Sequence, residues 1–404
     1  MTAVMQGVRV LEVAEHTFVP AASALLADWG ADVIKIEHVE RGDAMRGLAA
    51  SGTVDIPSDV HVLFEHSNRG KRSLALDLTS PEGLDIVYKL AATADVFLTN
   101  KLPLVRTKLK VTLDDIRAQN PNIIYVRGTG QGERGPEADR GAYDYLAFWM
   151  RSGAALGATA ADAAVVNGPP GPGFGDSIGA LTIAGGIMGA LFHRERTGEA
   201  TTVDVSLLSA GLYTMGQAVA LSMLTKKPWQ GPPSGHRSNP LVGSYQTKDG
   251  RSLAFSCLQA GLYWGPACAA IGRPELATDP RFADHGALMA NKMEASEILA
   301  AEFASRDLDE WKERLADFPG QWTVVQHTLE AAADAQSIAN GYVQELENAA
   351  GVPFHLSAAP VQFNEEAHHP RRAPDFNEHA EEILGELGLD FDAVLDLKVR
   401  GIVA

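Results

Sequence analysis

Short apolar runs alternate with longer segments of helical spacing through the first third of the chain. Val8–Val13 carries apolar residues on both faces, at Val8 and Val10 and at Leu11 and Val13, and reads as a buried strand. Ala21–Asp28 carries small and apolar residues at helical spacing and is closed by Gly30; Asp32–Glu37 returns to strand pattern. A loop-rich interval covers Arg41–Asn68. Beyond it, Ser73–Asp77 reads as a strand and Pro81–Ala91 as a helix, with Ser80 as cap and Pro81 at its first position. Val96–Leu98, Leu113–Gln119 and Ile123–Gly128 continue the rhythm as strand, helix and strand. Strands separated by single helices and short connections predict an α/β fold with a parallel sheet.

The second half changes character. A long apolar helix begins near Asp176, Thr201–Leu207 is a strand, and a further helix runs to about Leu224. Lys226–Pro240 is rich in Pro, Gly, Ser and Lys and reads as a linker. Val242–Gln246 and Leu253–Cys257 form a hairpin around Lys248-Asp249-Gly250. Helices follow at Leu262–Ile271, Lys292–Ser305 and Leu308–Leu315. Trp322–Gln326 is strand-like, Ile338–Leu346 continues into the C-terminal region, and Pro353–His369 reads as irregular.

Composition narrows the classes. The 404 residues carry a formal net charge of −17, which leaves no excess of Lys and Arg for neutralising nucleic-acid phosphates. Basic residues cluster at Arg69–Arg72 and Lys101–Lys110, as a solvated loop would show or as a small phosphorylated ligand would need. The two cysteines, Cys257 and Cys268, have neither metal spacing nor a disulfide framework, which fits a reducing cytoplasm. Met1–Gly7 has no signal-peptide pattern, and the apolar run around Ile178–Phe192 is too short and Gly-rich for a membrane span.

The segment with most chemistry is Gly168–Ala190. A loop dense in Gly and Pro delivers Asp176, the only acid between Asp162 and Glu195, to the start of the apolar helix. A lone carboxylate on such a loop suits a nucleophile that a substrate must approach closely. It equally suits a helix N-cap. Arg127–Gly132 is a Gly-rich loop after a strand end, a wall of a ligand site or a simple exit from the sheet. Tyr143-Asp144-Tyr145 reads as core packing with a capping Asp. No Gly-x-Gly-x-x-Gly follows the first strand, Gly70-Lys71 lacks the earlier Gly of a phosphate loop, and Ser206 and Ser209 lack a nucleophile elbow. His368-His369 after Glu365-Glu366 has no third ligand at helical spacing, so no metal site is expected.

Several blocks together carry a resemblance. They are Gly7–Glu12, Leu25–Glu37, Asn68–Leu78 with Ser80–Gly83, Ala94–Asn100, Gly175-Asp176-Ser177, Arg196-Thr197-Gly198 with Val203–Leu207, and Pro280–Ala283. In these the chain resembles the family III CoA-transferases, the carnitine and bile-acid (CaiB/BaiF) group, over nearly its whole length. The resemblance implies a Rossmann-like large domain built from both chain ends, a smaller α+β domain, and an interlocked homodimer. The expected division is a large domain over 1–225, a linker over 226–240, a small domain over 241–319, and a second linker and returning segment over 320–404. The second crossing falls at Pro319–Val324.

The resemblance also implies chemistry. Asp176 would attack an acyl-CoA to give an aspartyl-acyl anhydride, then an aspartyl-CoA thioester, before CoA passes to a second carboxylic acid. Gly130, Gln131 and Gly175 would form the oxyanion wall. His16, Thr17, Phe18, Lys71, Arg72, Asn100, Lys101 and Lys108 would contact CoA, the substrate carrier, with no tightly bound cofactor. The partners implied are an acyl-CoA, a carboxylic acid and a second copy of the chain, with neither nucleic acid nor membrane. The chain departs from the family pattern at two places. His38 stands where an arginine is frequent, with Arg41 three residues on, and Asn100-Lys101-Leu102-Pro103-Leu104 replaces Asn-Phe-x-Pro-Gly. An α-methylacyl-CoA racemase of the same fold is the alternative, but Tyr143 and Gln259 occupy its proton-transfer positions and neither is a ready base. Gln259–Leu262 also fails to reproduce the Gly-rich loop of oxalate-using relatives. A non-catalytic CoA-binding protein follows if Asp176 is only a cap.

Overall fold

The structure is a computed structural model that describes residues 2–50, 55–56 and 59–404. The chain forms two compact units, one of Met1–Thr159, Ala164–Gly231 and Ala335–Ala404, the other of Ala160–Ala163 and Pro232–Asp334.

The larger unit is an α/β layer structure. In chain order it holds β1 (Arg9–Val13), α1 (Phe18–Asp28), β2 (Asp32–His38), α2 (Arg46–Ala50), α3 (Val62–Asn68), β3 (Arg72–Leu76), α4 (Pro81–Thr93), β4 (Val96–Thr99), α5 (Pro103–Leu109), α6 (Leu113–Arg117) and β5 (Ile124–Thr129). A π-helical turn at Tyr145–Met150 and the short α7 (Ala154–Gly157) precede α8 (Phe174–Thr197), β6 (Thr202–Ser206), α9 (Leu207–Thr214) and α10 (Gly216–Thr225). The six strands lie in the order β3-β2-β1-β4-β5-β6, all parallel. Chain direction across the sheet therefore reverses between β1 and β4, where a crevice opens at the carboxyl edge.

Strict alternation along each strand feeds two cores, one on each face. Val10, Val33, Val96, Leu98, Ile124 and Val126 pack beneath α1 and α8. Leu11, Ile34, Leu74, Phe97 and Tyr125 pack beneath α4 and α6. Ser80 caps α4 as its sequence predicts, its hydroxyl accepting the Gly83 N–H at 3.0 Å. The interval Arg41–Asn68, expected as loop, contains α2 and α3; α3 is too short for its periodicity to show. α8 is 24 residues long and apolar enough to cross a bilayer by length, longer than expected, but one side of it, at Gly179, Ala180, Ile183, Ala184 and Ile187, is buried in the core.

The smaller unit is α+β. Its sheet is β7 (Val242–Gln246), β8 (Ser252–Ser256) and β9 (Trp322–Val324), all antiparallel, with α11 (Ala260–Ala270), α12 (His285–Ala290), α13 (Lys292–Phe303), α14 (Leu308–Arg314) and α15 (Thr328–Ala333). The hairpin turns at Gly250, φ +77°. Because β9 pairs with β8, Pro319–Val324 is not a free crossing segment, and the unit runs on to Asp334. The chain then returns to the larger unit with α16 (Ala335–Ala339), the hairpin β10 (Val343–Glu347) and β11 (Pro353–Ser357), α17 (Ala380–Glu386) and α18 (Phe391–Val399). β11 corrects the irregular reading of Pro353–His369, which its Pro353 start concealed. α17 and α18 pack on the α4 face of the sheet, and the Leu76–Val403 bridge attaches the last residues to the β3 edge.

Glycines let α8 approach closely. A Cβ at Gly128 of β5 would stand 2.2 Å from Val19 Cγ2, and one at Gly179 would stand 2.3 Å from the Phe18 ring. Gly185, on the same helix, faces open space. Gly128→Ala should therefore cost roughly 1–3 kcal/mol through overpacking, whereas Gly185→Ala should gain about 0.5–1 kcal/mol from helix propensity. Denaturant midpoints of the two variants read this directly; equal effects of one sign would contradict the packing.

Candidate active site

Asp176 is the third residue of α8, not its N-cap. Gly173 takes that place at φ +63°, a left-handed turn that suits a residue without Cβ. The capping carboxylate comes from another segment. Asp144, just before the π-helical turn, accepts the Gly175 N–H on Oδ2 at 3.0 Å, while its Oδ1 is buried with no hydrogen-bond partner. A Cβ at Gly175 would strike Phe148 at 2.3 Å and Asp144 Oδ1 at 2.6 Å, so only glycine lets the two acids come this close.

The Asp176 residue is half-buried, and its carboxyl is pushed up to about 7, first by desolvation and then by the charge of Asp144. Asp144 is itself raised by burial, partly offset by the amides of Gly175 and Asp176. The N-terminal dipole of α8 works in the opposite sense, favouring the ionised form.

Asp176 opens onto a cavity of about 430 Å³ lined by Glu15, His16, Phe18, Arg41, Asn100, Lys101, Gly130 and Tyr143 among others. These residues follow the carboxyl ends of β1, β2, β4 and β5. A second cavity of about 270 Å³ shares Glu15, Arg41, Lys101 and Val105 and adds His38, Thr79 and Lys108. Adjoining through these four residues, the two make a trough along the edge of the sheet, with Asp176 on the first cavity, Lys108 on the second, Arg41 and Lys101 on both, and Glu15, Glu37 and Asp77 among the acids of its wall. Asn100 clamps the first loop: its Nδ2 donates to Glu15 O at 2.6 Å and its Oδ1 accepts the Glu15 N–H at 3.2 Å. Lys101 Nζ meets Glu15 Oε1 at 2.5 Å. Arg41 has no ion-pair partner among the described residues and borders both cavities, whereas His38 borders only the second.

The expected site residues therefore divide. Asp176, Gly130, His16, Phe18, Asn100 and Lys101 come together around the first cavity, and Lys108 lies on the second. Thr17 holds the N-cap position of α1 without a side-chain capping hydrogen bond, its methyl lying close to Gly173. Lys71 is displaced from the expected role. Its ammonium is fully buried on Glu12 Oε2 (2.8 Å), Pro20 O (2.8 Å) and Asn68 Oδ1 (2.9 Å). Arg72 stands at the amino end of β3, paired with Asp32, Glu382 and Glu386. Arg69 pairs with Asp28, so this whole basic cluster is consumed in folding. Gln131 and Gly175, expected in the oxyanion wall, do not line the first cavity: Gln131 Oε1 accepts from Arg151 at 2.8 Å, and the Gly175 N–H is held by Asp144. Tyr143, read as core, is 66% exposed and edges onto His16, ring centroids 5.4 Å apart.

Two residues escaped the sequence reading. Asp144 passed as an ordinary cap of the helix beside it, and Asp43 lay in a supposed loop. The signal for Asp43 was Gly42-Asp43 in the loop that leaves the carboxyl end of β2, where ligands collect in parallel sheets.

Comparison with known proteins gives a consistent picture. The sequence profile of CoA-transferase family III matches residues 5–380. The chain is 29% identical over 401 residues to the (R)-2-hydroxy-4-methylpentanoate CoA-transferase of Clostridioides difficile, covering 99% of both chains. It is 30% identical to the succinate–glutarate CoA-transferase of Agrobacterium fabrum, covering 95% of both. Among solved structures, a CaiB/BaiF family protein from Brucella suis superposes with a TM-score of 0.83 at 27% identity, over 96% of this chain and all of that one.

The raised Asp176 carboxyl fixes the sign of a pH effect. Its folded value, about 7, lies above the unfolded value near 3.8. Its contribution is fully present below about pH 4 and is lost as pH rises through 7. Asp176→Asn, which cannot ionise, should match the wild type in stability at pH 4 and exceed it at pH 8 by roughly 1–3 kcal/mol, partial exposure reducing the full linkage value. Denaturation at the two pH values tests this; a variant less stable at pH 8 would show an ordinary, solvated carboxylate.

Proposed function

The chain belongs to CoA-transferase family III, and from that premise we propose that it moves CoA from an acyl-CoA to a second carboxylic acid through covalent intermediates on Asp176. One observation carries the reading: a desolvated carboxylate at a helix N-terminus faces a trough at the carboxyl edge of a parallel sheet.

The bonds balance without a redox partner. An Asp176 oxygen attacks the thioester carbonyl carbon, the C–S bond breaks, and CoA leaves as thiolate, giving an aspartyl-acyl anhydride. The thiolate attacks the aspartyl carbonyl and releases the first carboxylate, leaving aspartyl-CoA thioester. The acceptor carboxylate then displaces CoA thiolate, and attack of that thiolate on the new acyl carbon frees Asp176. Burial strips water from the nucleophile, and the cavity supplies proximity. The diphosphate and 3′-phosphate of CoA fall to Arg41, Lys101 and Lys108, the cations the trough presents. The racemase alternative gains nothing from the structure: the base it requires is replaced by Tyr143, a phenol.

The dimer belongs to this reading as well. α10 buries none of its residues within one chain, and Tyr213 and Leu224 on the α9–α10 pair are 89% and 81% exposed. Apolar surface of that extent is what a second copy would cover.

Two measurements test the proposal. Asp176→Asn and Asp176→Ala should both abolish CoA transfer while remaining folded, and hydroxylamine added after acyl-CoA should mark the Asp176 peptide of the wild type by mass. Transfer retained in Asp176→Asn, with no marked peptide, would remove the covalent route. Arg41→Ala should weaken CoA binding by roughly 1–3 kcal/mol, the scale of a charge-assisted hydrogen bond, and leave pantetheine binding unchanged. Equal losses for both ligands in calorimetry would place Arg41 outside phosphate recognition.

A further inference from the structure

We propose that Asp43 is a positioning residue for the acyl-CoA trough, holding the loop that presents His16 in a backbone conformation the loop does not prefer by itself. The trough's assignment to acyl-CoA is the reading given above; the tether is a separate claim about the loop.

His16 has φ +68°, a left-handed conformation that costs a residue with a Cβ. Its N–H donates to Asp43 Oδ1 at 2.9 Å, and the same oxygen accepts the Met45 N–H at 2.8 Å. The other oxygen takes Lys35 Nζ at 2.7 Å. Lys35 in turn reaches Ala14 O at 3.0 Å and Glu12 Oε1 at 2.8 Å. With the Asn100 clamp on Glu15, the main chain is thus held at Ala14 O, at both polar groups of Glu15, and at the His16 N–H. Two of these four tethers depend on the Asp43–Lys35 pair, which is wholly buried.

Chemistry makes the carboxylate specific. All three partners of Asp43 are donors: two amides and an ammonium. An asparagine has the same shape, but either orientation turns its NH₂ toward a donor. The acid is therefore needed for one accepting oxygen toward the two amides and for its negative charge against the Lys35 ammonium, not as a volume. Its product is the placement of the His16 ring on the cavity wall, where it meets Tyr143 edge-on.

The test is hydrogen exchange on the full chain, joined to CoA calorimetry and steady-state kinetics, for the wild type, Asp43→Asn, Asp43→Ala and Ser73→Ala. Ser73 donates to Glu37 at 2.7 Å in the same buried layer without touching the loop, so its variant is the control. In the wild type without ligand, the His16 amide should already exchange slowly. Both Asp43 variants should exchange roughly tenfold faster at His16, with β1 and β2 unchanged, and should raise Kd for CoA and KM for acyl-CoA roughly tenfold with a smaller change in kcat. Ser73→Ala should leave Kd unchanged. Rapid exchange of His16 in the ligand-free wild type overturns the proposal even if no Asp43 variant folds. So does acceleration spread evenly over β1 and β2, or an unchanged Kd in a folded Asp43 variant. A wild type that shows slow His16 exchange but binds no CoA would instead refute the CoA reading and leave the tether standing.

Discussion

The constraint on which the larger unit depends is steric. α8 can lie where it does because Gly128, Gly175 and Gly179 offer no side chain to Val19, to Phe148 or to Phe18, respectively. Each bare position lets an aromatic ring or a branched side chain fill the space a Cβ would need. The helix packs along α1 over the sheet, and its first turn comes to rest above the carboxyl ends of β1 and β5. Asp176 is the side chain that this placement delivers to the cavity. Backbone entropy favours none of these glycines inside a strand or helix; close packing is what they gain. An acid isolated along the chain is thus brought to the crevice through contacts made by its neighbours.

Charge inside the sheet is the second organising element. Glu12 and Lys35 are register partners on β1 and β2, both fully buried, and Lys71 and Asp43 extend them into a four-membered chain of alternating sign. Burial alone disfavours every one of these ions, yet the paired cations hold Glu12 and Asp43 well below the usual carboxylate range. Lys71 loses part of its hold on its proton, carried down to about 7 first by burial and then by the neighbouring Lys35 ammonium, against the pull of Glu12. Such chains rarely add net stability over an apolar core, but they fix geometry strongly, because removing one member leaves another charge without water or partner. Here the chain runs from beneath α1 to the loop at the cavity.

The fold was legible because its signals are local. The two-faced apolar runs of Val8–Val13 and Ile123–Gly128, the Ser80-Pro81 helix start and the Lys248-Asp249-Gly250 turn each state their structure within a few residues. What stayed hidden depends on distance. Arg69–Arg72 looks like a free basic patch until Asp28, Asp32 and Glu386, remote in sequence, close on it. Trp322–Gln326 reads as strand-like by itself, but that its first residues join the sheet of the smaller unit is decided by β8, remote in sequence, which pairs with them. Asp176 stands out in the sequence because no other acid lies near it along the chain, but its capping alternative failed for a reason no local pattern contains: the cap is Asp144, some thirty residues earlier on another segment.

That division of labour between two acids bears on reactivity. A helix N-terminus offers amide hydrogens that would solvate a carboxylate and quench it as a nucleophile. Asp144 occupies the Gly175 amide, so Asp176 is left in the helix dipole without that hydrogen bond. The charge of Asp144 then raises Asp176 further, on top of desolvation. The two acids do not share a role, because one faces the helix backbone and the other the cavity. A carboxylate so placed is basic for its type and poorly solvated, and on the proposed chemistry both qualities favour attack on a thioester carbonyl. The same desolvation disfavours its ionisation in the empty site. Asp176 therefore stands in the position where a cost to stability and a gain in reactivity have one physical origin.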